Sequence, residues 1–559
     1  WVEVENVGKK PVTLYRFASA FLPVPRGDNW MTHFHGYWGA EHMMDEEKLT
    51  NGQKVISNKD GLANTETDNP SFMLSMDGKA QEEYGHVLGG ALAWSGTYLI
   101  KMDVRNTTFN ISAGMNEETS HYILESKERF VTPEFAMTYS TTGKGGVSRA
   151  FHRWARQYKL NQGNVLRDIL LNSWEGVYFK VNQQGMDEMM EAFSAMGGEL
   201  FVMDDGWFGD KYPRDGGNSS LGDWTVCKKK LPEGIEGLLR SAKKHAIKFG
   251  IWIEPEMVNP KSELFEKHPD WAIQLPNRET YYYRNQLVLD LSNPKVQDFV
   301  YGVVDKILTE NPEVAFFKWD CNSPITNVYS PYLKNKQGQL YIDHVRGIYN
   351  VLKRIKDKYP NVPMMLCSGG GARCDYEALK YYTEFWCSDN TDPIERLFIQ
   401  WGFSQIFPAK AMCAHVTSWN KNTSVKFRTD VASMCKLGFD LGLKELNADE
   451  QTYCQNAVAN WTRLKKVILD GDQYRLVSPY DGNHMSLMYA SPDKNKAVLY
   501  TYDIHPRFGE KLLPVKLQGL DAKKMYKVKE INLMPNSKSN LAANEKTYSG
   551  DYLMKVGIN

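Results

Sequence analysis

The stretch of sequence that decides the fold is Val314-Ala-Phe-Phe-Lys-Trp-Asp320. Side chains alternate along a strand, so Phe316, Lys318 and Asp320 share one face and the residues between them take the other. A short apolar strand that ends in polar residues and is followed by an amphipathic helix is typical of βαβ units. The stretch therefore predicts a parallel sheet with its chemistry at the strand ends.

The same pattern of a short apolar strand followed by polar residues recurs from about residue 165 onward, in eight stretches. We predict strands at residues 168–174, 199–205, 250–254, 286–291, 314–320, 363–368, 383–389 and 406–414. Helical periodicity separates them, at residues 185–196, 235–248, 296–309 and 341–358. Eight strands in roughly 300 residues predict a (β/α)8 barrel over residues 156–471, with an open doubly wound sheet as the alternative.

The regions on either side of the barrel are predicted to be all-β. Residues 1–155 are rich in turns and short alternating runs, which indicates an antiparallel β-sandwich. The chain opens on Trp1-Val-Glu-Val-Glu5, which reads as the middle of a strand, so we expect this sandwich to lack an upstream part. Alternation returns after residue 472 and predicts a small antiparallel β domain at 472–559. The fold class is thus multidomain α/β.

Composition excludes several classes of function. The 67 Lys and Arg balance 67 Asp and Glu, so the chain has no positive field for nucleic acid. No apolar run reaches the ~18 residues of a membrane span. Eight cysteines without a C-x-x-C pair disfavour a zinc ribbon and indicate mostly reduced thiols. We expect no cofactor and no metal, and the compartment stays open between cytoplasm and periplasm.

The predicted strand ends carry a recurrent set of carboxylates, and buried charges that converge normally serve a ligand. Lys318 on the face of Asp320 favours an ionised carboxylate there, as a nucleophile requires. Of two candidates near the seventh strand, Asp392 has the pattern of a helix N-cap, with Pro393 after it and Glu395 completing a capping box. We therefore expect Asp389 to be the proton donor. Two carboxylates at one mouth fit a glycosidase.

Aromatic and acidic side chains nearby suit a sugar. Trp252 and Trp174, at the ends of their strands, could lie against the apolar face of a pyranose. Asp204 and Asp205 could accept hydrogen bonds from neighbouring hydroxyl groups. A regular strand would direct only one of these two aspartates inward, so we expect a bend or bulge to turn the other.

The motifs together resemble those of a known family. They are Asn172-Ser-Trp-Glu, Met203-Asp-Asp-Gly-Trp-Phe-Gly209, Trp252-Ile-Glu-Pro-Glu-Met257, Tyr283-Arg-Asn-Gln-Leu-Val-Leu-Asp290, Lys318-Trp-Asp-Cys-Asn322, Cys367-Ser-Gly-Gly-Gly and Trp386-Cys-Ser-Asp-Asn-Thr-Asp392. In this order they strongly resemble the glycoside hydrolase family 36 α-galactosidases. The resemblance covers the whole predicted barrel and reaches upstream into the β-sandwich.

The resemblance implies a retaining exo-α-galactosidase that acts on α-linked galactose in oligosaccharides of the raffinose or melibiose type. Asp320 would be the nucleophile and Asp389 the general acid/base. The residues that it implies for binding the sugar are Asp204, Asp205, Trp174, Trp252, Arg284, Lys318, Asn322, Cys367, Gly369 and Asp392. Of these, Cys367 and Gly369 would border the 2-position of galactose. The family also implies a homo-oligomer, a tetramer in many members.

Several rival interpretations accompany this one. An α-N-acetylgalactosaminidase or a galactosyl transferase of the same family would use the same two carboxylates, and a noncatalytic sugar-binding relative would keep the pocket alone. His33-Phe-His35 has the H-x-H spacing of a metal site and raises the possibility of a metal-dependent hydrolase. That pair lies well before the first predicted barrel strand.

Overall fold

The structure, a computed structural model, describes every residue from Trp1 to Asn559. The first 140 residues form two antiparallel sheets and two short ribbons. Phe72 and Leu92 from the five-stranded sheet meet Ile100 and Ile111 from the four-stranded sheet in one core. This packing of sheet on sheet confirms the predicted β-sandwich.

The strands of this region are bounded as follows. The five-stranded sheet contains Glu134–Ser140, Val87–Ala93, Asp68–Ser75, Trp30–His35 and Met43–Lys48 in spatial order. The four-stranded sheet contains Ala18–Val24, Phe109–Met115, Tyr98–Val104 and Gly52–Asn58. The ribbons pair Glu3–Glu5 with Arg129–Val131 and Val12–Leu14 with Tyr122–Leu124. His33 and His35 face Glu47 and Asp45 on the neighbouring strand, at 3.3 and 3.1 Å.

A closed barrel of eight parallel strands follows, which confirms the predicted architecture. Its strands in order around the ring are Leu170–Asn172, Leu200–Met203, Lys248–Ile253, Val314–Trp319, Met364–Leu366, Glu384–Trp386, Met412–Thr417 and Lys436–Asp440. Phe316 packs inside the ring beside Met365 and Trp386, whereas Phe317 and Trp319 join the core outside it. The alternation read along residues 314–320 is therefore correct.

Two of the predicted barrel strands were wrong. Within 286–291, Leu287–Val288 pairs antiparallel with Met257–Val258 in a ribbon outside the ring. The eighth strand is Lys436–Asp440, which the sequence analysis missed. It opens on a lysine that is buried because it pairs with Glu384, so the segment does not read as an apolar run. The predicted segment 406–414 was placed too early, because the preceding helix runs to Ile406.

Helices lie between the strands and close to where periodicity predicts them. They are Gly143–Trp154, Trp174–Val177, Gln183–Ala195, Gly234–Lys244, Glu263–Lys267, Pro294–Glu310, Leu340–Lys358, Pro393–Ile406, Val425–Ala432, Ala448–Asp470 and Gly550–Lys555. Asn293 caps the helix that begins at Pro294, where the fixed φ of proline suits the first turn. None of the helices is long and apolar enough to cross a bilayer.

The C-terminal region is antiparallel, as predicted. Asp472–Val477, His484–Ala490 and Ala497–Asp503 form one sheet, and Met525–Lys527 pairs with Thr547–Ser549. Met488, Leu517 and Leu553 pack together in a small core. The domain limits 1–155, 156–471 and 472–559 stay predictions.

The β-sandwich docks on the mouth of the barrel. Thr65 donates its hydroxyl to the carbonyl of Gly371 at 2.8 Å, and Asn69 donates to the carbonyl of Cys374 at 3.0 Å. A second loop, residues 36–41, reaches the strand end that carries Asp389. The mouth is therefore built by two parts of the chain that are far apart in sequence.

Candidate active site

Asp320 follows the last residue of the fourth barrel strand and is surrounded by hydrogen-bond donors. Its Oδ2 accepts from the indole N–H of Trp252 at 3.2 Å and from the amide of Asn322 at 2.8 Å. Its Oδ1 accepts from the backbone N–H groups of Cys321 at 2.8 Å and Gly369 at 3.2 Å. Four donors around one carboxylate hold it in a single orientation and favour its ionised form.

The electrostatics of Asp320 support the same conclusion. Burial raises the pKa of its carboxyl, but the ammonium of Lys318, the hydrogen bond from Asn322 and the charge of Arg284 outweigh burial, so the pKa is lowered. The direct partner of Lys318 differs from the expected one, because its Nζ donates to Asp204 Oδ2 at 2.7 Å. Lys318 therefore acts on Asp320 through its charge, while its hydrogen bond holds Asp204.

Asp389 lies beyond the end of the sixth strand of the ring and accepts two indole N–H groups. Trp386 Nε1 donates to its Oδ1 at 2.9 Å, and Trp38 Nε1 donates to its Oδ2 at 3.2 Å. Trp38 belongs to the β-sandwich, and the sequence analysis missed it. The available signal was a pair of aromatic residues between two glycines, Gly36-Tyr-Trp-Gly39, and Trp38 is 49% exposed.

Asp204 and Asp205 both lie past the end of their strand, which stops at Met203. The chain turns there, so the strict alternation of a strand no longer separates the two side chains. The guanidinium of Arg214 donates to both oxygens of Asp205, from Nε to Oδ1 at 3.0 Å and from Nη2 to Oδ2 at 2.8 Å. Burial raises the pKa of both aspartates, and the cations Lys318 and Arg214 oppose this rise. Arg214 is a further residue that the sequence analysis missed.

Three more of the predicted residues cluster around Asp320. The guanidinium of Arg284 donates to Asn322 Oδ1 at 3.3 Å, which places it beside the amide that holds Asp320. Gly369 has a φ of +56°, and a Cβ at that position would lie 3.1 Å from Asn322 Oδ1. Cys367 is buried inside the ring, and burial raises the pKa of its thiol well above the ordinary value.

The two remaining predicted residues lie at the ends of helices. Trp174 begins the short helix after the first barrel strand, is partly exposed, and packs edge-to-face on Tyr178 and Phe179. Asp392 caps the helix that begins at Pro393, as the sequence predicts, by accepting from the backbone N–H of Ile394 at 2.8 Å.

The other oxygen of Asp392 accepts from Asn420 at 2.6 Å, so one oxygen caps the helix and the other binds a loop. The predicted capping box is not formed. The backbone N–H of Asp392 donates to Asn390 Oδ1 at 3.0 Å instead of to Glu395.

Three glutamates near these aspartates were not assigned a role from the sequence; Glu254 and Glu41 are buried, and Glu175 is half-buried. Burial is the main cause that raises the pKa of Glu254 to about 8, of Glu175 to about 8 and of Glu41 to about 7. The charge of Asp320 adds to the effect at Glu254, and the charge of Asp389 adds to it at Glu41. Glu254 accepts the backbone N–H of Asn322 at 2.7 Å.

Comparison with known proteins places this geometry in a family. The family model described as Melibiase matches residues 129–471, and those of the glycosyl hydrolase family 36 N-terminal and C-terminal domains match residues 1–125 and 484–559. "Alpha-galactosidase AgaA" of Geobacillus stearothermophilus is 34% identical over 99% of this chain and 74% of its own length. "Alpha-galactosidase Mel36A" of Lactobacillus acidophilus is 33% identical over 100% of this chain and 75% of its own length.

Solved structures agree with these relatives. The crystal structure of AgaA superposes with a TM-score of 0.94 at 33% identity, covering 99% of this chain and 76% of that one. A variant of AgaA solved in complex with raffinose gives a TM-score of 0.93 at 32% identity, over 99% and 76% of the two chains. All three regions of the chain match, in the family's order. The chain is therefore a glycoside hydrolase and belongs to the family 36 α-galactosidases.

Proposed function

We propose that this chain is a retaining exo-α-galactosidase in which Asp320 is the nucleophile and Asp389 the general acid/base. The observation that carries the proposal is the contrast between these two carboxyls. Asp320 is buried yet has a lowered pKa, with four donors and a nearby ammonium. Asp389 comes from a different strand of the same mouth and is held by two indoles.

The proposed reaction is a double displacement. An oxygen of Asp320 attacks C1 of the galactose while Asp389 gives its proton to the departing glycosidic oxygen, so the C1–O bond breaks as the ester forms. Asp389, now ionised, takes a proton from water, whose oxygen attacks C1 and releases Asp320. Two inversions at C1 return the α-anomer. Asp204 and Asp205 accept hydrogen bonds from sugar hydroxyls, and Trp252 and Trp174 flank the ring.

Relatives suggest the class of substrate. Structures of AgaA variants contain raffinose and stachyose, both of which carry terminal galactose. We infer that this chain releases α-linked galactose from such oligosaccharides. Gly369 donates its backbone N–H to Asp320 at 3.2 Å. By the family resemblance, Gly369 and Cys367 border the 2-position of the sugar, and this form of the corner favours galactose over N-acetylgalactosamine. The predicted tetramer stays a prediction that light scattering would check.

Variants of the two aspartates test the proposal. We expect Asp320→Gly to be almost inactive on 4-nitrophenyl α-galactoside and to form β-galactosyl azide when azide is supplied. Asp389→Ala should keep most of its activity on this substrate but lose about 10²–10⁴-fold on melibiose, because a sugar leaving group needs the proton. The acid/base role predicts that azide rescues Asp389→Ala by giving α-galactosyl azide, because azide then attacks the galactosyl ester of Asp320. Formation of β-galactosyl azide by Asp389→Ala would show that the roles are reversed. NMR of the first-formed galactose should show the α-anomer.

A panel of substrates separates the rival functions. Turnover of 4-nitrophenyl α-galactoside without turnover of the α-N-acetylgalactosaminide is the expected result. Activity on neither glycoside would support a noncatalytic relative. A product longer than the substrate, formed in the presence of an acceptor sugar at low concentration, would instead support a transferase.

A further inference from the structure

The segment that carries Asp389 is tied at three points to one loop of the β-sandwich, residues 36–41. Trp38 donates to the carboxyl of Asp389 at 3.2 Å. Asn390 donates its amide to the carbonyl of Gly39 at 2.9 Å. The hydroxyl of Ser388 donates to Glu41 Oε2. The residues before and after Asp389 are thus held by the same loop that contacts its side chain.

Glu41 is the buried member of this loop. It is 1% exposed, and burial raises its pKa to about 7. Among nearby charges, that of Asp389 acts on it most strongly, and it raises the pKa further. A buried carboxyl whose nearest charged influence is another carboxyl is costly for folding, and carboxyls in such surroundings are concentrated at functional sites.

The second oxygen of Glu41 reaches a different loop of the barrel mouth. Its Oε1 accepts the backbone N–H of Gly371 at 3.5 Å. The adjacent Gly370 has a φ of +101°, and a Cβ there would overlap Glu41 Oε1, so the loop passes directly over the carboxyl. The same loop supplies the N–H of Gly369 that donates to Asp320 Oδ1 at 3.2 Å. One carboxyl therefore joins the loop that touches Asp320 to the segment that carries Asp389.

We propose that Glu41 is a positioning residue for the acid/base step, which fixes the place of Asp389 relative to Asp320 through Ser388 and the loop at Gly371. The proposal rests on the function proposed above and assigns a role to a residue of the β-sandwich. Ser388 transmits the contact, since its Oγ donates to Glu41 and accepts the backbone N–H of Asn390 at 3.0 Å. Both flanks of Asp389 are thereby held.

The chemistry gives this role a signature that a purely structural role lacks. A misplaced Asp389 slows proton transfer, and proton transfer matters in proportion to how poor the leaving group is. Melibiose releases a glucose oxygen that needs the proton, whereas nitrophenolate leaves almost without it. Because kcat/KM reports the first displacement, the two substrates should respond differently to the same variant.

The test compares Glu41→Ala and Glu41→Gln with the wild type on melibiose and 4-nitrophenyl α-galactoside. We expect Glu41→Ala to lose about 100-fold in kcat/KM on melibiose and less than about fivefold on the nitrophenyl substrate. Glu41→Gln should recover most of the loss, because an amide oxygen can still accept and the hydroxyl of Ser388 can turn to accept from the amide. Asn69→Ala is the matched control, since it removes a buried contact to the same barrel end without touching residues 388–390.

The outcomes separate the inference from the function beneath it. Equal losses on both substrates for Glu41→Ala, or a leaving-group dependence in Asn69→Ala of the same size, would overturn the positioning role. No turnover by the wild type on either substrate would overturn the proposed function itself. If Glu41→Ala does not fold, Ser388→Ala removes the same contact from the barrel side. The same unequal loss is expected there, and an equal loss refutes the proposal.

Discussion

Replacing Lys318 by methionine tests how the site keeps Asp320, the proposed nucleophile, ionised. Lys318 lies inside the ring with its Nζ 2.7 Å from Asp204 Oδ2, and the two side chains are 9% and 4% exposed. Methionine keeps an unbranched side chain, one atom shorter, and removes the charge and its donors. The change leaves Asp204 without its cation and removes the positive charge that acts on Asp320.

The loss of stability can be worked out from the burial of the pair. Removing one partner of a buried ion pair costs about 3–5 kcal/mol, because the other charge is left uncompensated. For a folding unit of the size of residues 129–471, unfolding entropy of ~2.1 cal/mol/K per residue converts this cost into a fall in Tm of roughly 4–7 °C. Differential scanning calorimetry would measure the fall.

The effect on activity has a defined sign. Burial raises the pKa of Asp320, and the charge of Lys318 is the largest influence that lowers it. Without Lys318 the pKa rises, so Asp320 takes up a proton at higher pH and the acid limb of kcat/KM moves to higher pH. At the pH optimum we expect kcat/KM to fall by a further factor of about 10 to 100, because the variant loses one charge-assisted hydrogen bond at Asp204.

Lys436→Met is a matched control at the opposite end of the barrel. Lys436 begins its strand and pairs with Glu384, with side chains 2% and 0% exposed, so its loss should also lower Tm. We expect a smaller fall than for Lys318→Met, because Arg167 still pairs with Glu384 at 3.3 Å. It should leave the acid limb unmoved. If Lys318→Met lowers Tm but its acid limb stays with that of the wild type, Lys318 does not keep Asp320 ionised and the electrostatic reasoning is wrong.

Two further substitutions probe neighbours of Asp320. Gly369→Ala places a Cβ on a backbone in the left-handed region and against Asn322 Oδ1. We therefore expect the variant to lose about 1–2 kcal/mol of stability and about tenfold in kcat/KM. Unchanged kinetics would contradict this reasoning. Burial and the charge of Asp320 raise the pKa of Glu254 from 4.5 to about 8, so the folded protein keeps a proton that the unfolded chain releases. Between those pH values the stability of the wild type falls as pH rises, by up to about 5 kcal/mol. Glu254→Gln should not show this fall in thermal scans, and parallel curves would refute the assignment.

Much of the barrel could be predicted because its signals are local. The side chains of residues 314–320 alternate between the two faces of their strand. The strands of the ring are apolar and are followed by polar residues, as expected where water or a ligand reaches the open end of a barrel. Asp320 and Asp389 are found in this way, at the ends of two apolar runs. The N-cap at Asp392 is equally local, since it depends on the residues immediately around Pro393.

The errors arose where an apolar run has more than one explanation. Leu287–Val288 is buried as one strand of a two-stranded ribbon outside the ring, and nothing in its sequence distinguishes that from burial in a barrel. The strand Lys436–Asp440 was missed for the opposite reason: it begins with a charged residue. This lysine can be buried because it pairs with Glu384, which lies 52 positions earlier in the chain. Ring closure by a strand of this kind depends on a partner that periodicity cannot identify.

The sequence alone therefore determined, through short-range patterns, most of the order of strands and helices and the positions of the two aspartates proposed to react. The partners of those aspartates were decided only by the tertiary structure. Lys318 binds Asp204 across the ring, and Trp38 reaches Asp389 from 351 residues away. The first contact arises because closure of the ring brings two of its strands together, and the second because the β-sandwich docks on the open end of the barrel. Docking of this kind depends on the shapes of two folded surfaces, which no local pattern of residues encodes.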